Sequence, residues 1–214
     1  MQFDFSKLDA RQRYKLLGST ITPRPIAWVS TLGADGKPNA APFSFFNVFG
    51  EDPPIVAFAI LHRSESDAKD TGNNVRLREE FVVNLVSEDN LHQMNISSIE
   101  FAADRSEFVE AGLTPLPSVT IATPRIAQSH VCFECKLTQI VKLGDLRSLV
   151  LGEVLMMHVR DEAVIDAQRC WIDTPSLRLV GRMEGNSYVR TSDILELPRI
   201  PLESWVSPEP LRGT

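Results

Sequence analysis

Three short segments between residues 22 and 74 contain residue types that could bind a phosphorylated aromatic ligand. In the first, Arg24 stands between Pro23 and Pro25, directly before an apolar run. A guanidinium is planar and permanently charged, which suits bidentate binding of a phosphate. Taken alone, the same pattern is typical of a solvated arginine in a loop, so the interpretation depends on the other two segments.

The second segment, residues 39–47, combines small residues, a proline and three phenylalanines. Ala41 and Pro42 leave the backbone accessible, while Ser44 and Asn47 offer hydrogen bonds beside the aromatic rings. A flat heteroaromatic ligand needs this mixture of apolar surface and a few polar groups. A hairpin strand with a phenylalanine-rich core face has the same composition, and this alternative stays open.

The third segment is Lys69-Asp70-Thr71 with Asn74. A threonine at the start of a predicted helix can cap the helix and also present its hydroxyl and backbone N–H to a phosphate, and Lys69 adds positive charge. The alternative is a capped helix with no ligand. Together the three segments favour a site for a flat ring joined to a phosphate.

Other chemistry-bearing residues give no comparable pattern. Cys132 and Cys135 have C-x-x-C spacing, but side chains three apart on a strand point to opposite faces, so we interpret them as buried or semi-exposed thiols. The histidines are scattered, and we expect no metal site. Rossmann, Walker and G-x-S-x-G motifs are absent, and we identify no catalytic residue.

The composition limits the partners that the chain can have. The formal net charge is −6, so the overall field repels nucleic acid and anionic membranes, and an anionic ligand needs a local basic pocket. The start, Met1 to Asp9, lacks the apolar core of a signal peptide, and the run Pro53 to Leu61 is too short to cross a bilayer. With three cysteines only, the chain is predicted to be a reduced, cytoplasmic protein without membrane segments.

The pattern of elements predicts a closed β-barrel. Helices are predicted over 9–17, after Thr71 and over 90–103, and residues 114–124 form a proline-rich excursion. Many strands without βαβ alternation argue against a doubly wound sheet. The predicted strands cover residues 26–32, 38–46, 55–60, 81–86, 130–143 and 149–159.

Four motifs then occur in a specific order: T-x-R-P-I-A-W-V-S-T, G-x-P-N-x-A-P-F-S-x-F, K-D-T-x-x-N and E-F-V-V-N-L. In this order and spacing the chain resembles the flavin reductase-like family of FMN-binding split barrels. The resemblance implies a mainly β fold, an antiparallel Greek-key split barrel with a few flanking helices. It covers residues 21–190, preceded by an N-terminal extension over 1–20 and followed by a proline-rich arm over 191–214.

The resemblance also implies a role for each matching residue. The FMN phosphate would be held by Arg24, Lys69 and Thr71, with Ser30 and Thr31 nearby. The isoalloxazine and ribityl chain would lie along Ala41, Pro42, Phe43 and Ser44. Asn47, Asp70 and Asn74 would order these contacts, and Tyr188 or His130 would approach from the second chain of a homodimer.

Three activities remain open at this stage. The first is reduction of flavin by NADH or NADPH through hydride transfer to N5, with reduced FMN passed to a monooxygenase or another acceptor. The second is a flavoredoxin-like FMN electron carrier without direct NAD(P)H oxidation, favoured by Gly144-Asp145-Leu146, where many short reductases of the family have Gly-Asp-His. The third is a flavin-dependent oxidase on the same barrel.

Overall fold

The computed structural model describes residues 1–62, 70–102 and 105–205. The helices in this part are α1 (Ala10–Thr20), α2 (Asp70–Arg78), α3 (Leu91–Ile96) and α4 (Glu107–Glu110). The strands are β1 (Ala27–Leu32), β2 (Pro38–Phe43), β3 (Phe46–Glu51), β4 (Pro54–Leu61), β5 (Glu80–Leu85), β6 (Pro115–Leu116), β7 (Arg125–Ile126), β8 (Val131–Lys142), β9 (Arg147–Val159), β10 (Val164–Asp166), β11 (Trp171–Ile172), β12 (Val180–Arg182) and β13 (Tyr188–Arg190).

Seven of the strands form one antiparallel sheet in the order β2-β1-β5-β8-β9-β4-β3. The sheet curls on itself, because Phe43 of β2 packs with its ring centroid 5.0 Å from that of Phe58 of β4, on the far side of the strand order. Phe81 of β5 meets Phe58 edge-on at 5.3 Å. The predicted mainly β split barrel is therefore confirmed.

Strand β1 is buried on both faces, which explains its nearly continuous apolar sequence. Ala27 and Val29 point into the barrel with the phenylalanines of β2, β4 and β5. Trp28, on the opposite face, packs in a second cluster with Met94 of α3 and Phe108 of α4. Helices α3 and α4 thus cover one flank of the barrel beside β2.

The interior of the barrel is filled by side chains. Gly152 of β9 lies against the Phe81 ring so closely that a Cβ atom there would be 2.3 Å from Phe81 Cζ. Glycine is required at this point because any side chain would displace a buried aromatic ring. The barrel has no room for a ligand at the level of Gly152.

The proline-rich segment before β7 is an irregular excursion, as predicted, and two carboxylates hold it against the sheet. Buried Glu134 of β8 accepts hydrogen bonds from the backbone N–H groups of Val119 and Thr120 at 2.8 and 2.7 Å, and from His158 Nε2 at 2.6 Å. Burial by itself would raise the pKa of Glu134, but the bonds from Thr120, Val119 and His158 outweigh it and lower the pKa to about 2. Glu80 accepts from the N–H and hydroxyl of Thr123.

Two predicted elements differ from the structure. The strand expected over 38–46 breaks at Ser44-Phe45, where the chain turns from β2 into β3. The helix expected over 90–103 ends at Ile96, because Ser97 bonds back to the Met94 carbonyl and also accepts from Trp28 Nε1 at 2.9 Å. The chain after Ser97 is then free to turn back across β2.

The cysteines of the C-x-x-C sequence are both buried on β8. Burial raises the pKa of the Cys132 thiol to about 11 and raises that of Cys135 further. Such thiols are poor nucleophiles. Among the residues described here, no three potential ligands cluster around a metal position, and no helix is long and apolar enough to span a membrane.

Candidate functional site

A groove runs along β2, the edge strand of the sheet, and consists of three adjoining cavities. The first, of about 300 Å³, is lined by the β1–β2 turn, Asn74 and α4. The second, of about 280 Å³, lies over Asn39 to Phe43 and continues from the first through Asn39, Asp70 and Glu107. The third, of about 350 Å³, joins the second through Pro42 and Ser98 and ends at Tyr188. We call this channel the β2 groove.

The middle of the groove is organised around the side-chain amide of Asn39. Its Oδ1 accepts hydrogen bonds from the hydroxyls of Thr71 at 3.2 Å and Thr31 at 3.4 Å. Its Nδ2 donates to Glu107 Oε2 at 2.8 Å, and Asn74 Nδ2 donates to the Thr31 hydroxyl at 3.0 Å. The network joins β1, β2, α2 and α4, so the start of α2 is held firmly over the groove.

Glu107 gives this network an unusual electrostatic property. Partial burial raises the pKa of its carboxyl, and the nearby charge of Asp70 raises it further, although the bond from Asn39 acts in the opposite direction. A carboxylate that is reluctant to ionise therefore lies beside the start of α2, where the helix presents its first N–H groups. Sequence reasoning did not identify this residue.

Most of the residues predicted for the site do meet at the groove. Thr31 and Asn74 belong to the Asn39 network, and Ser44 and Tyr188 line the third cavity. Tyr188 lines the third cavity of its own chain, and its approach from a second chain stays a prediction. The remaining predicted residues at the groove line its second cavity: Ala41, Pro42, Phe43, Asp70 and Thr71.

Ser30 lies away from the groove. Successive residues of a strand face opposite sides, so Ser30 and Thr31 cannot both contact one phosphate. The Ser30 hydroxyl is buried, donates to the Pro124 carbonyl at 2.7 Å and accepts from Asn84. We therefore remove Ser30 from the candidate site.

Arg24 has a different environment from the one predicted. Its Nη1 donates to the carbonyls of Gly18 at 2.5 Å and Ile21 at 2.9 Å, and its Nη2 donates to that of Met183 at 2.9 Å. The side chain is 6% exposed and does not line the β2 groove. These contacts correct the predicted phosphate role: Arg24 joins the end of α1 to the β12–β13 hairpin.

Three other predicted residues lie elsewhere. Asn47 borders an apolar recess that adjoins the third cavity at Ser44, and its amide oxygen accepts from the Val48 N–H. His130 binds the Leu177 carbonyl and lies 3.2 Å from Asp89, also away from the groove. Lys69 lies outside the described residues. Thr71 is the second residue of α2 rather than its cap, and it meets the groove through its hydroxyl.

The groove suits an elongated ligand that has a polar end and a flat end. At the α2 end it offers hydroxyls, amides, the start of a nine-residue helix and the ammonium of Lys37, which pairs with Asp35 at 3.2 Å. At the other end it offers Pro42, Ser44 and two tyrosines, Tyr14 and Tyr188.

The curled antiparallel barrel is the fold of the split-barrel flavin reductase class. The chain belongs to the flavin reductase like domain family, which matches residues 18–171. The family accounts for β1 to β11, whereas most of α1 and the whole β12–β13 hairpin lie beyond the matched residues.

Three individual proteins show how far the similarity extends. An uncharacterised protein of Deinococcus radiodurans is 40% identical over 208 residues, 95% of this chain and 91% of the relative. The structure of the 2-nitrobenzoate 2-nitroreductase of Pseudomonas fluorescens is 37% identical with a TM-score of 0.86, covering 94% of this chain and 97% of that one. Component B of nitrilotriacetate monooxygenase from Bacillus cereus is 27% identical with a TM-score of 0.87, covering 92% and 98%.

Proposed function

We propose that the chain is an FMN-binding oxidoreductase that reduces its flavin with NADH or NADPH. The observation that carries the proposal is the β2 groove, in which the Asn39 network fixes the start of α2 at one end and an aromatic cavity closes the other. When bound, the flavin would supply the hydride chemistry. The protein would bind it, orient it and exclude water.

The residues at the two ends of the groove would divide this work. Thr71, Asn74 and the first N–H groups of α2 would receive the phosphate, as helix N-termini commonly do. The backbone from Ala41 to Ser44 would lie along the flavin ring and form hydrogen bonds with its polar edge. The α2 end offers a place for one terminal phosphate, so we favour FMN over FAD.

The experiment that tests this function has two stages. Purified protein is titrated with FMN, FAD and riboflavin while flavin fluorescence is followed, and we expect FMN to bind most tightly. The FMN-loaded protein is then mixed anaerobically with NADH or NADPH, and the flavin absorbance should bleach. Protein that quenches none of the three flavins would refute the proposed function.

A second candidate, the flavoredoxin-like electron carrier, is favoured by one local feature. The turn between β8 and β9 carries Leu146, which is exposed and has no ring nitrogen to offer a nicotinamide. A carrier would bind FMN but would not bleach when NADH and NADPH are added alone. Bleaching only after a separate reductase is supplied would select this candidate.

The relatives suggest two kinds of electron acceptor. The Pseudomonas enzyme is a nitroreductase of an aromatic acid, and the Bacillus protein is a component of a monooxygenase. We propose that reduced flavin passes electrons either to a nitroaromatic compound or to a partner monooxygenase. Turnover of 2-nitrobenzoate by the isolated protein would separate the first from the second.

We expect Glu107→Gln to bind FMN about threefold to tenfold more tightly than the parent, because it removes a negative charge from the site proposed for the phosphate. Riboflavin, which has no phosphate, should bind equally to both proteins. Fluorescence titration measures both affinities. Glu162→Gln is the control, since Glu162 is an exposed glutamate that lines none of the three cavities of the groove.

The same substitution has an expected effect on stability. Because the pKa of Glu107 is raised in the folded state, its ionisation weakens the fold as the pH rises above the ordinary glutamate pKa. Glu107→Gln should therefore gain stability over the parent at pH 8 relative to pH 4. If Glu107→Gln leaves the FMN affinity unchanged, or lowers the affinities for FMN and riboflavin alike, the phosphate binds elsewhere.

We further propose a homodimer that uses the exposed side of β3. Val48 and Phe49 are each 66% exposed on this last strand of the sheet, where apolar side chains would otherwise face water. Phe49→Asp should raise the dimer dissociation constant by at least about tenfold, because an interface would have to bury an unpaired carboxylate. Light scattering across a dilution series measures it. Val109→Asp, an exposed position on α4, should have no effect.

A further inference from the structure

The two elements beyond the family-matched residues meet at one end of the β2 groove. Tyr14 of α1 lines the third cavity together with Arg182 and Tyr188 of the β12–β13 hairpin. Arg24 holds both elements, since one guanidinium binds carbonyls of α1 and of the residue after β12. The extensions thus form a single rigid wall at the end where the flavin ring is proposed to lie.

A larger cavity continues outward from this wall. It has a volume of about 540 Å³ and shares Asn95, Arg182, Asn186 and Tyr188 with the third cavity of the groove. Its other lining residues are Glu88, Leu91 and His92. We call it the outer cavity. A ligand in it would lie directly beside a ligand in the groove.

Arg182 is the charged group shared by the two cavities, and it differs from the other arginines nearby. Arg190 binds Glu88 at 2.7 Å, and Arg178 binds Asp89 at 2.7 Å. In the described part of the chain, Arg182 has no carboxylate within ion-pair distance, and its side chain donates to the Gly185 carbonyl. Its positive charge is therefore available to an anionic ligand.

The carboxylate in the outer cavity does not cancel that charge. Glu88 is engaged by Arg190 and lies 3.5 Å from Arg178, and the bond from Arg190 lowers the pKa of Glu88. The cluster of Glu88, Asp89, Arg178 and Arg190 contains two acids and two arginines. Arg182 is thus left as an additional cation.

Aromatic surface accompanies the charge. The guanidinium carbon of Arg182 lies 4.7 Å from the centroid of the Tyr188 ring, so the cation is held in one place over an aromatic face. Tyr14, half exposed, stacks on Phe45 with ring centroids 6.0 Å apart and presents its remaining surface to the cavity. A flat ring is the ligand shape that two tyrosines recognise at low entropic cost.

From these contacts we propose that α1 and the β12–β13 hairpin form the second-substrate site, and that this site takes a planar ring bearing an anionic group. Arg182 binds the anion, and Tyr14 and Tyr188 contact the ring. The proposal rests on the proposed function, because the ligand is second to a flavin in the groove. An aromatic carboxylate and a nicotinamide dinucleotide share this chemistry.

The test separates flavin binding from binding of the second ligand. FMN affinity is first measured for the parent and for Arg182→Gln by fluorescence quenching, so that both proteins can then be saturated with FMN. The FMN-loaded proteins are then titrated, in the absence of turnover, with 2-nitrobenzoate, with nitrobenzene and with NAD⁺ by calorimetry. Arg169→Gln is the matched control, because Arg169 also lies over an aromatic ring, that of Trp171, but pairs with Asp166 away from the groove.

We expect Arg182→Gln to lower the affinity for the anionic probe that the parent binds by about 10-fold to 100-fold, the range for a lost charged hydrogen bond. Nitrobenzene affinity and the Arg169→Gln titrations should be unchanged. An effect on 2-nitrobenzoate identifies an aromatic acid, and an effect on NAD⁺ identifies the dinucleotide. Parent protein that takes up FMN but binds neither anion, or equal affinities in Arg182→Gln and the parent, would overturn the proposal. Failure to bind FMN would instead refute the proposed function.

Discussion

Replacing Arg24 by methionine should lower the free energy of unfolding by about 3 kcal/mol, since three carbonyls lose a charged, buried donor. The affinities for FMN and riboflavin should fall by the same factor, because Arg24 supports the wall of the groove and does not line it. Chemical denaturation and fluorescence titration measure the two effects.

This variant distinguishes the two roles considered for Arg24. If Arg24 bound the phosphate, Arg24→Met would lower the affinity for FMN and leave the affinity for riboflavin unchanged. Arg24→Lys is a useful companion, because a single ammonium keeps the charge but cannot reproduce the planar geometry that reaches both α1 and Met183. We expect Arg24→Lys to be intermediate in stability and to bind the two flavins in the parental ratio.

Glu134→Gln should cost about 3 kcal/mol of stability at neutral pH, the equivalent of a carboxyl pKa lowered to about 2 in the folded state. Both carboxylate oxygens accept from N–H or O–H donors, and the amide nitrogen of glutamine would face donors on one side. The folded-state pKa is depressed, so the stabilisation is complete above the ordinary glutamate pKa and is lost as the pH falls towards 2.

Urea unfolding of parent and variant at several pH values between 2 and 7 checks this expectation. The gap between the two curves should close on acidification. Glu80→Gln is the control, because Thr123 uses only one oxygen of Glu80 and glutamine retains it. A gap that is constant with pH would mean that the Glu134 carboxylate is not responsible.

The sequence predicted the barrel well, because strands such as β1 and β4 are nearly continuous apolar runs that leave few alternatives. The middle of the groove was also accessible to sequence reasoning: Ala41 and Phe43 alternate along β2, and Asn39 follows the same alternation. Asn39 gives no signal of its own, because a single asparagine shortly after a turn is common in hairpins. The strand break at Ser44-Phe45 could not be predicted, because neither residue at the break is a glycine or a proline.

Other parts of the site depend on long-range contacts that local patterns do not contain. Glu107 reaches Asn39 from 68 residues away, on a four-residue helix without a distinctive motif. Arg24 was identified as important from its prolines, but its partners lie on α1 and, 159 residues away, at Met183. A sequence pattern shows which side chains could bind an anion. Whether such a side chain already donates its hydrogen bonds to backbone carbonyls depends on the fold.

The close contact between Gly152 and Phe81 has a consequence for how this protein could be redesigned. Since the barrel is tightly packed at that level, a substitution there would lower the stability of the fold and could not open a new binding space. The ligand-facing positions of α1 and the β12–β13 hairpin, by contrast, are attached to the outside of the barrel. Libraries that vary Tyr14, Asn186 and Tyr188 should therefore yield a high fraction of folded members with altered ligand preference.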